Sequence, residues 1–139
     1  MVYDVDIAID EIVKSLKETN LYNDTIIVVT SDNGGSIIKG ASNYPLRGTK
    51  STPFEGGSRV PTFLLGPPHL LPRQQEESQV LVHISDWMPT LLKMAGYEGS
   101  PSKDLQLDGV DQSKAFRTGQ SVRQGWNVTR IFLYIFLSC

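Results

Sequence analysis

The chain has 139 residues, of which 40% are hydrophobic and 20% are charged, a balance typical of one globular domain. Its formal net charge of -2 at pH 7 provides no broad basic surface, so nucleic acid is not an expected partner. No signal-peptide pattern is visible in residues 1–20. The apolar run at residues 131–137 is far shorter than the roughly 20 residues that cross a bilayer, so no membrane span is expected.

The first predicted elements are a helix and a buried strand. Apolar residues recur at steps of four, three and four from Val5 to Leu16, which predicts an amphipathic helix. After a polar turn at residues 20–24, the β-branched run Thr25–Thr30 predicts a strand that is buried on both faces. A helix followed by a buried strand indicates an α/β domain, in which helices flank a buried sheet.

Two more apolar segments follow a long polar and glycine-rich loop that extends to Ser58. Val60–Leu65 predicts a second strand, with Pro61 at an edge or bulge, and Gln79–Ile84 is a third short apolar run.

A second helix is predicted after Ser85 or Asp86, either of which can cap it, and Gly96 is expected to end it. The residues expected on its buried face are apolar: Trp87, Leu91, Leu92, Met94 and Ala95. Residues 107–111 are predicted to form a turn.

The C-terminal segment differs in character from the rest of the chain. Ile131–Leu137 is uncharged and apolar throughout, a composition that favours aggregation when it is exposed. We therefore expect a divergent apolar tail at residues 120–139 that stands outside the fold.

Polar side chains follow the first strand directly. Asp32 and Asn33 bring a carboxylate and an amide oxygen to the end of that strand, and such oxygens suit calcium or magnesium. Two ligands do not hold a divalent ion by themselves, because calcium takes about 6–8 oxygens. Taken alone, the pair is more typical of a turn in which both side chains bond their own backbone.

The loop at residues 45–59 makes the pattern specific. Thr-Ser-Asp-Asn-Gly at residues 30–34 is followed by Leu-Arg-Gly-x-Lys at 46–50 and Phe-Glu-Gly-Gly-x-Arg-Val-Pro at 54–61. In order and spacing these motifs resemble the sulfatase family, and within it the arylsulfatase B group. Weaker similarity extends over about residues 1–119, which are expected to form part of a sulfatase catalytic domain.

The resemblance implies an incomplete sulfatase sandwich of the alkaline-phosphatase-like type. It implies that Asp32 and Asn33 are calcium ligands and that Lys50 contacts the sulfate, for which a compact ammonium is well suited. The implied substrate is a sulfate ester, for example on a sulfated glycan. The full-length parent would be lysosomal or secreted, and glycosylation acceptors at Asn23 and Asn127 would then make it a glycoprotein.

Other polar residues are expected to be structural. Arg47 and Arg59 can pair with Glu55 or brace the loop, and His83 is expected to be a hydrogen-bonded structural histidine. His69 is expected on the loop surface.

The nucleophile of the family is missing from this sequence. Sulfatases carry a Cys-x-Pro-x-Arg motif whose cysteine becomes formylglycine, whereas the single cysteine here is Cys139, and no Asp-Asp pair is present to complete the calcium shell. We therefore expect a fragment of a sulfuric ester hydrolase that is inactive alone, from a truncated product or a partial gene model.

Two alternatives stay open. One is a non-catalytic binding module. The other is a phosphatase or phosphodiesterase of the same superfamily, against which Asn33 argues, because those relatives more often place a histidine there for a transition metal.

Overall fold

The computed structural model describes residues 2–72, 76–99, 107–123 and the backbone of 132–136. Over these residues the helices are α1 (Val2–Glu18), α2 (Glu55–Ser58), α3 (Trp87–Met94) and α4 (Ser113–Thr118). The strands are β1 (Ile27–Thr30), β2 (Pro61–Leu65), β3 (Glu76–Ser78) and β4 (Phe132–Phe136). Short 3₁₀ turns occupy Tyr22–Asp24, Ile37–Lys39 and Ile84–Asp86. The predicted α/β class is confirmed.

The four strands form one sheet in the order β1-β2-β4-β3. β1 runs antiparallel to β2, β2 runs parallel to β4, and β3 runs antiparallel to β4. Phe132–Phe136 therefore lies inside the sheet, which corrects the expectation that the whole segment 120–139 stands outside the fold. An uncharged run rich in aromatic and β-branched residues supplies the backbone donors and acceptors that the second edge of β2 requires.

The core lies against one face of the sheet. Leu64 of β2 is fully buried there, and the residues packed with it are Leu71, Val80, Val82, Trp87, Ala115 and Phe116. On the other face of β1 and β2, Val29 and Phe63 are only half-buried. The prediction of a strand buried on both faces is therefore wrong for β1, since α1 leaves a groove on this second face.

The helix predicted for Val5–Leu16 is confirmed and extends to Val2–Glu18. Its buried residue is Val13, whereas Val5 and Ile12, which were placed on the apolar face, are about half exposed. Ile9, Val13 and Leu16 follow one another at steps of four and three, so they form the stripe that turns inward. Among the described residues, no helix is both long enough and apolar enough to cross a membrane.

The apolar run Gln79–Ile84 is not a strand. Val80 and Val82 are buried in the core, and Leu81 takes part only in an isolated β-bridge, with its N–H donating to Ser121 Oγ at 2.8 Å. The strand of this region, β3, comes earlier in the chain.

Asp86 is the N-cap residue of α3, one of the two predicted positions, but its side chain makes no capping hydrogen bond to that helix. The His83 ring and the Asp86 carboxylate form a capping box around the preceding 3₁₀ turn. Trp87, Pro89 and Thr90 are buried on α3, whereas Leu91 and Ala95 are exposed, contrary to the predicted face. α4, which adds Ala115 and Phe116 to the core, was not predicted.

Candidate functional site

The site begins where β1 ends. The hydroxyls of Thr30 and Thr62 lie 2.7 Å apart across the β1–β2 pair, and the N–H of Ser31 donates to Pro61 O at 3.3 Å. This anchors the backbone directly before Asp32 and Asn33. Asp32 is exposed and Asn33 is half-buried.

The two oxygen-bearing side chains are available to a ligand. Asn33 Nδ2 donates to Gly34 O at 2.9 Å, which leaves Asn33 Oδ1 facing no donor within the described residues. The Asp32 carboxylate likewise has no hydrogen bond or ion pair within the described part of the chain. One carboxylate and one amide oxygen fit a hard cation such as calcium, but they supply only part of its shell. Over the same residues, no cluster of three or more His, Cys, Asp or Glu side chains could hold a metal.

Gly35 is the junction between this strand end and the loop that carries Lys50. Its carbonyl accepts from Asn43 Nδ2 at 2.8 Å, Thr49 Oγ1 at 2.9 Å and the N–H of Lys50 at 3.2 Å. The Lys50 backbone thus lies in direct contact with a residue two positions beyond Asn33. The side chain of Lys50 is exposed.

The chain turns sharply on both sides of Lys50. Gly48 has φ 99° and Ser51 has φ 70°, both in the left-handed region. Because a serine in this region is strained, the surrounding contacts must hold the turn in place.

Close packing of glycines binds the third motif into the same junction. The N–H of Gly34 donates to Gly57 O at 2.9 Å, and a Cβ at Gly34 would stand only 1.8 Å from Gly56 O. The N–H of Gly56 donates to Arg47 O at 2.7 Å. The Gly-Gly pairs at 34–35 and 56–57 therefore allow three loop segments to approach at backbone distance.

The other cations and the acid of the loop have structural contacts, as predicted. The guanidinium of Arg47 lies 4.1 Å from the ring centroid of Phe54, a cation–π contact. Arg59 pairs with Glu55 one helical turn away, at 3.2 Å. His69 is exposed, and the ring of His83 lies 2.9 Å from Ser85 Oγ, also as predicted.

A cleft of about 300 Å³ opens beside Asp32. Its polar wall comes from the β1 end and α2, and its apolar wall includes Val60, Ile84 and Trp87. The indole Nε1 of Trp87 is buried and has no hydrogen-bond partner within the described residues. Trp87 also packs against Phe116, with ring centroids 5.8 Å apart, so its predicted packing role is confirmed.

Comparison with known proteins identifies the family. The sequence profile of the family described as Sulfatase matches residues 1–97. This chain belongs to the sulfatase family. It is 46% identical over 107 residues to arylsulfatase J of Mus musculus, a match that covers 77% of this chain and 17% of that protein.

Other sulfatases are similar over a comparable range. N-acetylgalactosamine-6-sulfatase of Sus scrofa is 34% identical over 123 residues, or 86% of this chain and 23% of that protein. The crystal structure of Ps i-CgsB in complex with k-i-k-neocarrahexaose aligns with a TM-score of 0.73 and 36% identity, over 87% of this chain and 26% of that one. The fold is thus part of the alkaline-phosphatase-like sulfatase fold. The chain spans about a quarter or less of the length of these relatives.

A second polar centre in this chain lies around Asp86. Its carboxylate is fully buried and accepts from Arg123 Nε at 2.7 Å, from the N–H groups of His83 and Val110 at 2.9 Å each, and from Gln112 Nε2 at 3.1 Å. Burial by itself raises the pKa of Asp86, but the hydrogen bonds, first among them those from Arg123, outweigh burial and lower the pKa below its ordinary value.

Sequence reasoning missed the role of Asn43 and the buried, structural role of Asp86. The asparagine directly precedes Tyr44-Pro45-Leu46-Arg47, a position that could have drawn attention as part of the loop motif. For Asp86, the only local signal was its place before a helix, which suggested a cap. The roles of Asp32, Asn33 and Lys50 stay predictions, although the N–H of Lys50 donates to the carbonyl of Gly35, two residues beyond Asn33.

Proposed function

We propose that this chain provides the calcium and sulfate contacts of a sulfuric ester hydrolase of the sulfatase family. The observation that carries the proposal is the junction at Gly35, because it joins the strand end bearing Asp32 and Asn33 to the turn bearing Lys50 through backbone hydrogen bonds. The Asp32 carboxylate supports it as well, because it is exposed, lines a cleft and has no partner within the described residues.

In this proposal Asp32 and the amide oxygen of Asn33 bind calcium only weakly in this chain, because they supply two of the about 6–8 oxygens that calcium takes and water completes the shell. When bound, calcium would neutralise negative charge on the sulfate group. Lys50 contacts the same sulfate with a compact positive charge. Arg47 and Arg59 hold the loop and do not contact sulfate, since Phe54 and Glu55 occupy them.

We propose that the chain binds these ligands without turnover. The sequence holds a single cysteine, Cys139, and no Cys-x-Pro-x-Arg motif from which formylglycine could form. Without that nucleophile there is no covalent path for ester cleavage. Activity belongs in this proposal to a full-length parent of the arylsulfatase B group, lysosomal or secreted and glycosylated. A sulfated glycan is the proposed substrate, and the carbohydrate in the Ps i-CgsB complex supports that class.

A non-catalytic binding module is the second candidate, and the missing nucleophile motif favours it. The curated relatives named above carry sulfatase names, so the comparisons lend no support to the phosphatase or phosphodiesterase alternative. The two remaining candidates share the calcium and sulfate contacts and differ in whether a longer parent acts on esters.

Calorimetric titration with calcium chloride and with inorganic sulfate tests the proposed contacts. Asp32→Ala should abolish calcium binding, and Lys50→Ala should lower sulfate affinity by about tenfold, the effect of one charge-assisted contact. Asp24→Ala and Lys39→Ala, which remove exposed charges outside the junction, serve as matched controls and should change neither affinity. Equal binding by the wild-type chain and both site variants would contradict the proposal.

An assay with p-nitrophenyl sulfate and calcium tests the absence of turnover. We expect no product above background from the 139-residue chain. Turnover that Lys50→Ala abolishes would show that the chain is an enzyme by itself.

A further inference from the structure

We infer that Asn43 is a positioning residue that fixes Lys50 relative to the calcium ligands, so that both engage one sulfate group. The inference rests on the proposed function and extends it to a residue that contacts neither ligand. Asn43 lies in the loop between the two halves of the site and is half-buried.

The side-chain amide of Asn43 makes three hydrogen bonds, all to the backbone. Its Oδ1 accepts from the N–H of Gly35 at 2.8 Å, and its Nδ2 donates to Gly35 O at 2.8 Å and to Gly48 O at 3.2 Å. One planar amide therefore pairs with Gly35 on both sides and reaches the turn that presents Lys50. No other natural side chain of this length offers one acceptor and two donors in this arrangement.

The hydrogen bonds of Asn43 hold two backbone groups that the neighbouring contacts leave unbonded, the N–H of Gly35 and the carbonyl of Gly48. Thr49 Oγ1 and the N–H of Lys50 also donate to Gly35 O, but neither pairs with the N–H of Gly35 or with Gly48 O. The N–H of Ile37 also donates to Thr49 Oγ1 at 3.1 Å and the N–H of Gly56 donates to Arg47 O at 2.7 Å, so loss of Asn43 would loosen the turn at Gly48 and Lys50 without releasing the whole loop. The strand end would keep its anchor at Ser31 and Pro61, so the calcium ligands would hold their position while Lys50 shifted.

This arrangement predicts a defect in coupling between the two ligands. In the wild-type chain, bound calcium should increase the affinity for sulfate, because both positive charges act on one anion. In Asn43→Ala, the affinity for calcium alone should stay within about twofold of wild type, whereas the calcium-dependent gain in sulfate affinity should fall by about fivefold to tenfold.

The experiment is calorimetric titration of inorganic sulfate with and without calcium chloride, on wild type, Asn43→Ala and Asn43→Asp. Asn43→Asp keeps the acceptor for Gly35 but loses both donors, so it should reproduce the coupling defect even where Asn43→Ala does not fold. Ser42→Ala is the matched control, because its exposed hydroxyl makes only a long 3.4 Å contact to Tyr44 N–H. Amide hydrogen exchange at Gly35 should accelerate in both Asn43 variants and not in the control.

The outcomes separate this inference from the proposed function. If Asp32→Ala and Lys50→Ala leave calcium and sulfate binding intact, the proposed function fails and the positioning role fails with it. If those two variants lose binding while the folded Asn43 variants retain full coupling, the positioning role alone is overturned. An equal loss of calcium affinity and sulfate affinity in the Asn43 variants would also overturn it, because such a loss reflects general destabilisation of the loop.

Discussion

Asp32 and Asp86 represent two opposite uses of an aspartate in this sulfatase-family chain. Asp32 is exposed, follows an anchored strand end, and has no partner within the described residues. Asp86 is fully buried and accepts from two side chains and two backbone N–H groups. The Asp32 carboxylate is therefore available to a ligand. The Asp86 carboxylate instead accepts hydrogen bonds that link His83, Val110, Gln112 and Arg123.

The comparison indicates that one region of the chain stabilises the fold and another presents the side chains proposed to bind ligands. The Asp86 centre joins the start of α3 to the segments before α4 and after it, so its loss should affect the whole fold. The junction at Gly35 is built from backbone contacts and close-packed glycines, which leave the charged side chains of Asp32 and Lys50 exposed. Substitutions in the two regions should thus differ in both the size and the kind of their effects.

The largest effect on stability is expected from Asp86→Ala. It leaves the guanidinium of Arg123 without its partner and several N–H groups unpaired, which should cost about 3–5 kcal/mol of the free energy of unfolding. Urea denaturation followed by circular dichroism measures this cost. The exposed Asp108 provides the control, since Asp108→Ala should change stability by less than about 0.5 kcal/mol.

A smaller effect is expected from Gly34→Ala next to the Gly35 junction. The added Cβ meets the backbone oxygen of Gly56, which has no side-chain freedom to yield, so overpacking should cost about 1–3 kcal/mol. Thermal unfolding should also show that Ser36→Ala, a neighbouring substitution without this clash, is close to wild type. A Gly34→Ala variant with unchanged melting temperature would mean that the three loop segments do not pack as described.

Acid should weaken the Asp86 centre gradually. Because the folded pKa of Asp86 is lowered, its contribution to stability is fully present above the ordinary aspartate pKa of about 3.9 and is lost as the pH falls through the lower folded value. Stability should therefore decline below about pH 4 in wild type, and Asp86→Asn should flatten this part of the profile. Denaturation midpoints measured from pH 2 to 7 on wild type and Asp86→Asn test this difference in acid stability. Identical profiles for wild type and the variant would exclude Asp86 as the group responsible.

The smallest effect on stability is expected from Asp32→Ala. The carboxylate is exposed and pairs with nothing in the described residues, so the change should stay within about 0.5 kcal/mol while calcium binding is lost. Denaturation in calcium-free buffer isolates the effect on the fold from the effect on the ligand. Destabilisation of the size expected for Asp86→Ala would remove the distinction between the two aspartates.

Much of the local structure was accessible from the sequence. The periodicity that predicted α1 and the β-branched run that predicted β1 are properties of neighbouring residues, and both elements are present. The single-turn α2 inside the loop and the short α4 were missed, since neither is long enough to carry a periodic pattern. Gln79–Ile84 was noted only as an apolar run, and the structure shows that its Val80 and Val82 enter the core while the N–H of Leu81 donates to the side chain of Ser121.

The residues of the candidate site could also be predicted from the sequence, whereas most of the contacts among its loop segments could not. Asp32, Asn33 and Lys50 were proposed from residue types and motif spacing. The hydrogen bonds from Asn43, Thr49 and Lys50 to the Gly35 carbonyl could not be, because only the folded loop brings those residues to it. The ion pair of Glu55 and Arg59 was expected because the two residues are four apart, within reach across one helical turn.

The sequence by itself determined the α/β class, the order of its main elements, and the oxygen and ammonium groups offered to a ligand, because these follow from side-chain chemistry and short-range spacing. Tertiary structure decided that Phe132–Phe136 enters the sheet beside β2, that Asp86 is a buried structural carboxylate, and that Asn43 links the two halves of the site. Each of these depends on which distant backbone donors and acceptors are left unpaired once the core has formed, and no local pattern encodes that.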